Sequence, residues 1–212
     1  MAMVVNPPEG RVILDHISWE TYERLLAERG ESSGTRFAYD DGTLEIMTTS
    51  FRHEKLKHAV ELLIEVVASE MNIPIQGGGS TTFKRKDLLK GFEPDACFYI
   101  QNVERIRGLD HIDLNKDPAP DLIIEIDITS SSLSKFPIYS GLNVCEVWRH
   151  SGETLSIFKL EGNTYAAQTE SSAFPNLTAS VLTGFLQGSP DLTFSELVRR
   201  VREWIRKENA TS

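Results

Sequence analysis

Cysteine is scarce, long apolar runs are missing, and positive charge is in deficit. Only Cys97 and Cys145 occur in 212 residues, and they show no metal-ligand spacing. That argues against a disulfide framework or a zinc site and leaves two buried thiols in strand-like segments as the expectation. No stretch reaches the roughly 18 apolar residues of a membrane-spanning helix. The opening "MAMVVNPPEGR" lacks the basic start, apolar middle and small-residue cleavage site of a secretory signal. A cytoplasmic protein without membrane contact is expected. Lys and Arg number 22 against 31 Asp and Glu, a formal net charge of −9. This balance argues against a large nonspecific nucleic-acid surface but leaves room for a local basic patch. Gly77 to Gly79 is followed by no Gly-Lys-Ser/Thr and opens no helix, so the run reads as a tight turn rather than a phosphate loop.

What is present is an ordinary globular composition, 40% hydrophobic and 25% charged. "RVILDHI" reads as a strand, and "SWETYERLLAERG" as a helix capped by Ser18 and stopped by Gly30. Asp41-Gly42 between two alternating runs signals a hairpin. From Phe51 to Met71 the apolar residues Leu56, Val60, Leu63, Ile64, Val67 and Met71 fall on one helical stripe. "STTFKRKD", "EPDACFYI" and "DLIIEIDIT" follow as strands, with a short helix from about Leu133 to Leu142. "CEVWRHSGETLSIFKLEGNTYAAQ" reads as a meander, and two helices end the chain. Without repeats or linkers, the pattern implies one α/β domain with a mixed sheet.

"DLIIEIDIT" interrupts an apolar strand with acid. Strand alternation puts Leu122, Ile124, Ile126 and Ile128 on one face, and Ile123, Glu125 and Asp127 on the other. Glu125 and Asp127 then stand about 6–7 Å apart, where like charges repel by about 2–3 kcal/mol at an effective dielectric near 20. A cationic partner is expected. Asp95 likewise shares a face with Cys97 and Tyr99 at the end of an apolar strand. If those two strands are neighbours, Asp95 and Glu125 converge within reach of one hard cation, for which Mg²⁺ suits oxygen ligands; the Ile126 carbonyl is a further ligand candidate. Lys135, at the start of the helix leaving the acidic strand, is placed to reach back towards Glu125, and Pro137 fits only a first turn.

"EPDACFYI", "PDLIIEIDITSSSLSK" and "NVCEVWR" together resemble the PD-(D/E)xK nuclease superfamily, and more closely the Uma-type restriction endonucleases abundant in cyanobacteria. The resemblance extends over roughly residues 36–185. It implies a restriction-endonuclease-like fold, a mixed sheet flanked by helices with an additional antiparallel meander. In that reading 36–185 form the core of one domain and 186–212 a helical extension. It also implies Mg²⁺-dependent cleavage of DNA, with Mn²⁺ as a substitute, often by a homodimer. Asp95 and Glu125 match the family's acids and would be metal ligands and catalytic. The lysine usual two positions after the second acid is Asp127 here, so Lys135 would be its migrated replacement.

Asp127 is an accessory candidate, as an outer ligand or an anchor for Lys135. His53 is either a structural histidine or part of the site edge. Tyr139 and Trp148 read as packing residues. Lys84, Arg85 and Lys86 form a basic turn suited either to phosphate contacts or to plain solvation. The basic residues of "LVRRVREWIRK" read as the polar face of an amphipathic helix. A noncatalytic nucleic-acid or protein-binding module on the same fold is the competing reading.

Overall fold

The computed structural model describes residues 10–30, 34–128, 134–187 and 193–211. The N-terminal half runs β1 (Arg11–Leu14), α1 (Trp19–Arg29), β2 (Thr35–Asp40), β3 (Thr43–Thr48), α2 (Phe51–Met71), β4 (Gln76–Gly77), β5 (Phe83–Arg85) and β6 (Lys90–Phe92). Then follow β7 (Ala96–Tyr99), α3 (Val103–Ile106), β8 (Leu122–Ile126), α4 (Phe136–Gly141), β9 (Glu146–His150), β10 (Leu155–Glu161), β11 (Thr164–Gln168), α5 (Ala179–Leu186) and α6 (Phe194–Thr211).

Local chemistry sets most of these boundaries. The Ser18 hydroxyl accepts from the Thr21 amide and caps α1, while Gly30 ends it at φ 72°. Ser50 caps α2 by accepting from the His53 amide, so the first turn carrying His53 is fixed in place. Asp41 and Gly42 both take positive φ, 41° and 95°, as a two-residue hairpin turn between β2 and β3 requires. Pro137 lies in the first turn of α4, where its missing N–H costs nothing.

The strands form two sheets. One is antiparallel, in the order β1-β3-β2-β6-β5; the other is mixed, in the order β11-β10-β9-β8-β7-β4. In the mixed sheet β8 and β9 run parallel, joined by a crossover that contains α4, and the meander β9-β10-β11 extends the same sheet. One face of this sheet buries Ala96, Phe98, Leu122, Ile124 and Ile126 against α2, α5 and α6, the last contributing Leu197, Val201 and Ile205. The opposite face buries Cys97, Tyr99 and Ile123 with Tyr139 of α4 and with Ala38, Phe83 and Phe92 of the antiparallel sheet. The α1 helix covers the antiparallel sheet, its Trp19 and Tyr22 clustering with Tyr39 of β2 and Leu44 of β3.

The single mixed sheet expected from the pattern is accompanied by a second one, because β6, the strand that joins β2 to β5, is too short to leave a periodic signal. The glycine run begins inside edge strand β4, pairing with β7, and only Gly79 takes a turn conformation at φ 56°. Cys97 is buried as expected, but Cys145 is exposed, lying just before β9 begins. Of the run Ser130 to Ser134, which offers possible helix caps, residues 130–133 lie outside the described residues, and among the described residues no side chain caps α4. Among the described residues no helix is long and apolar enough to cross a membrane.

Candidate active site

Asp95 precedes β7 and Glu125 sits near the end of β8. These strands pair antiparallel with Ala96 opposite Ile124, so the next step of the register sets Asp95 across from Glu125. The two acids expected to converge do so, and both are buried, at 2% and 5% exposure.

Three of the four carboxylate oxygens accept a hydrogen bond, and the fourth stands against an imidazole nitrogen. Asp95 Oδ1 lies 2.8 Å from Nε2 of the fully buried His53, and Asp95 Oδ2 accepts from the Ile126 amide at 2.8 Å. Glu125 Oε2 accepts from Lys135 Nζ at 2.6 Å, and Oε1 from the Tyr139 hydroxyl at 2.5 Å. Lys135 therefore reaches back to the acidic strand, as its position after β8 implied. Tyr139 does more than pack. It lies one helical turn beyond Lys135, so both donors leave the same face of α4 and close on one carboxylate. Trp148 is a packing residue with its indole N–H satisfied by Glu146 Oε1 at 2.6 Å.

Burial and charge pull these groups in different directions. Burial pushes the Glu125 carboxyl up to about 7; the Lys135 charge opposes that rise, and neighbouring Asp95 reinforces it. Burial also works against Asp95, but the His53 hydrogen bond and charge, with Lys135 behind them, hold it below the usual carboxylate value. Lys135 loses hydration on burial, yet Glu125 and then Asp95 raise its pKa and keep it protonated. The site thus holds one firm anion, one fixed cation and one acid poised near neutrality.

Asp127 does not anchor Lys135. Arg149 donates through Nε to Asp127 Oδ2 at 2.5 Å, and Arg11 reaches Oδ1 at 3.5 Å. These two guanidiniums supply the charge compensation that neighbouring acids on one strand demanded. Arg11 also lies 3.4 Å from Glu45, a buried acid of β3 on the antiparallel sheet. Arg11, Glu45 and Arg149 had no signal in the local sequence pattern, because only the pairing of distant strands brings them to the acids.

The basic turn is engaged elsewhere. Lys84 pairs with Glu23 at 2.8 Å, Lys86 with Glu20 at 3.3 Å, and Arg85 with Asp87 at 2.5 Å. Carboxylates of α1 and of the turn itself thus offset the charge that recommended it for phosphate contacts.

Among the described residues no group of three or more His, Cys, Asp or Glu side chains forms a self-contained metal cage. Two facing buried carboxylates fit a different kind of ion, a hard cation that keeps several of its waters and takes one or two carboxylates from the protein. Each oxygen of Asp95 and Glu125 has at most one hydrogen bond and so at least one lone pair remaining. The donor set therefore fits Mg²⁺, with the Ile126 carbonyl beside it.

No curated protein matches this chain. A solved structure described as "a putative nuclease belonging to DUF820", from Anabaena variabilis, aligns with a TM-score of 0.49 and 15% identity, covering 74% of this chain and 95% of that one. The Uma2 family, described as "Putative restriction endonuclease", matches residues 19–187. With the match spanning most of the sequence, the chain belongs to the Uma2 family.

Proposed function

We propose that the protein is a Mg²⁺-dependent endonuclease that hydrolyses DNA phosphodiester bonds. The observation carrying this reading is the opposition of Asp95 and Glu125 with Lys135 Nζ 2.6 Å from Glu125. Asp95 and Glu125 would hold the ion, which when bound polarises a phosphate oxygen and acidifies a bound water. Lys135 orients the attacking water or meets negative charge developing on the phosphate. His53 fixes the Asp95 carboxylate, and Tyr139 fixes that of Glu125. Asp127, neutralised by Arg149 and Arg11, leaves the place of the usual superfamily lysine without uncompensated charge. The homodimer common in the superfamily belongs to the same proposal, and sedimentation of the purified protein reads it directly.

Incubation of the protein with varied DNA substrates and Mg²⁺ or Mn²⁺ tests the reading. Cleavage is expected, with loss in Asp95→Ala and in Glu125→Ala; cleavage surviving in both variants would eliminate this site. A second reading, a noncatalytic binding module on the nuclease fold, draws on the fact that all four carboxylate oxygens already have a protein nitrogen or hydroxyl within 2.8 Å. Calorimetry with Mg²⁺ separates the two: a working site binds the ion, and an abandoned one does not.

A further inference from the structure

The neutralised turn at 84–86 leaves open where a nucleic-acid strand would lie, and the mouth of the site carries better-placed cations. Arg52 is exposed, immediately precedes His53 and makes no ion pair among the described residues. Arg149 spends only its Nε on Asp127; its side chain is 40% exposed, and its two terminal amino groups have no partner among the described residues. Both arginines border the acid pair: Arg52 adjoins His53, whose Nε2 lies 2.8 Å from Asp95 Oδ1, and Arg149 stands in register with Glu125 on the neighbouring parallel strand. The ring of Phe51, one residue earlier, is 72% exposed, more than any other large apolar side chain described. On a chain of net charge −9, one exposed guanidinium, a second with both amino groups still available, and an exposed aromatic residue beside buried catalytic candidates match the chemistry of a phosphate backbone with accessible bases.

We propose that Arg52, Arg149 and Phe51 form the surface on which a DNA strand lies as it enters the site, the guanidiniums taking backbone phosphates and the Phe51 ring stacking on a base. This rests on the nuclease reading and goes beyond it by replacing the 84–86 turn as the backbone contact. Such contacts contribute to affinity through counterion release, at close to one unit of log–log salt slope per phosphate.

The test is fluorescence anisotropy with labelled single- and double-stranded oligonucleotides across a salt series, in a Glu125→Gln background so that no strand is cut. Arg52→Ala and Arg149→Gln should each lower the salt slope by about 1. Phe51→Ala should weaken single-strand binding more than duplex binding, and Lys84→Glu with Lys86→Glu should leave the slope unchanged. Thermal melting checks that Arg149→Gln folds; if it does not, Arg52→Ala and Arg52→Glu decide alone, since Arg52 is exposed and makes no ion pair among the described residues. Unchanged slopes in the Arg52 and Arg149 variants, with weakened binding in the Lys84/Lys86 variant, overturn the surface. Cleavage assays in the Glu125-intact protein separate this from the parent reading. Normal kcat/KM in Arg52→Ala and Arg149→Gln sinks only the surface, whereas a wild-type chain that neither binds nor cuts nucleic acid sinks both.

Discussion

Lys135 Nζ stands 2.6 Å from Glu125 Oε2, with the two side chains only 10% and 6% exposed. A buried ion pair of this kind adds little net stability compared with an apolar pair, but removing one partner strands the other. Lys135→Met should therefore destabilise the protein by about 1–3 kcal/mol, less than a permanently charged pair would lose because Glu125 can take up a proton. The double variant Lys135→Met/Glu125→Gln should recover much of that loss. Urea denaturation of the four proteins at pH 8 gives the coupling; independent, additive effects would contradict it.

Glu125 also sets a pH dependence. Its folded-state pKa, about 7, lies above the ordinary 4.5, so the protonated form favours the fold. The stability it contributes is full below pH 4.5 and disappears as pH rises through about 7. His150, lowered chiefly by burial, acts in the opposite sense near pH 6.5, so the Glu125 contribution must be read as a difference. Without metal, the stability of wild type relative to Glu125→Gln should decline between pH 4.5 and 7.5. Mg²⁺ should bind more tightly as pH rises over the same interval, because the ion requires the carboxylate. A pH-independent difference between the two proteins would refute the buried-acid account.

Tyr139→Phe removes one donor from that carboxylate and nothing from the ring packing against Phe92. The expected cost is about 1–2 kcal/mol. Because the hydroxyl favours ionised Glu125, its loss should also move the pH midpoint of Mg²⁺ binding upward, which calorimetry across pH would detect. A purely packing role for Tyr139 would leave that midpoint in place.

The cysteines give an independent check of the fold. Burial pushes the Cys97 thiol up to about 12, whereas Cys145 is exposed. A chromogenic disulfide reagent should modify one thiol in the native protein and two after denaturation, with Cys145→Ser abolishing the native signal.

Much of this architecture was legible because it is local. The α2 stripe, the Asp41-Gly42 turn, and the alternation in β8 that sends Leu122, Ile124 and Ile126 to one core and Ile123 to the other are all written in short periods. The acid pair was legible for a related reason: a carboxylate at the end of an otherwise apolar strand conflicts with its surroundings and calls for a partner. Nonlocal pairings were not legible. The parallel register that places Arg149 beside Glu125 depends on β9 docking after a crossover, and the neutralisation of Lys84 and Lys86 comes from Glu23 and Glu20 on α1. Tyr139 is an intermediate case. Its spacing from Lys135 put both on one helical face, but an apolar environment for the ring was the simpler reading of the sequence.

The parallel alignment of β8 with β9 also has a consequence for biosynthesis. Glu125 of β8 meets Lys135 and Tyr139 from the segment that leads into β9, and β9 pairs with β8 beyond them in the chain. A chain still emerging from the ribosome completes this alignment only after His150 has cleared the exit tunnel, and long-range strand pairings form slowly. Nascent and truncated fragments that end before β9 should therefore leave the contact of Glu125 with Lys135 unformed, so that the site is completed late in synthesis.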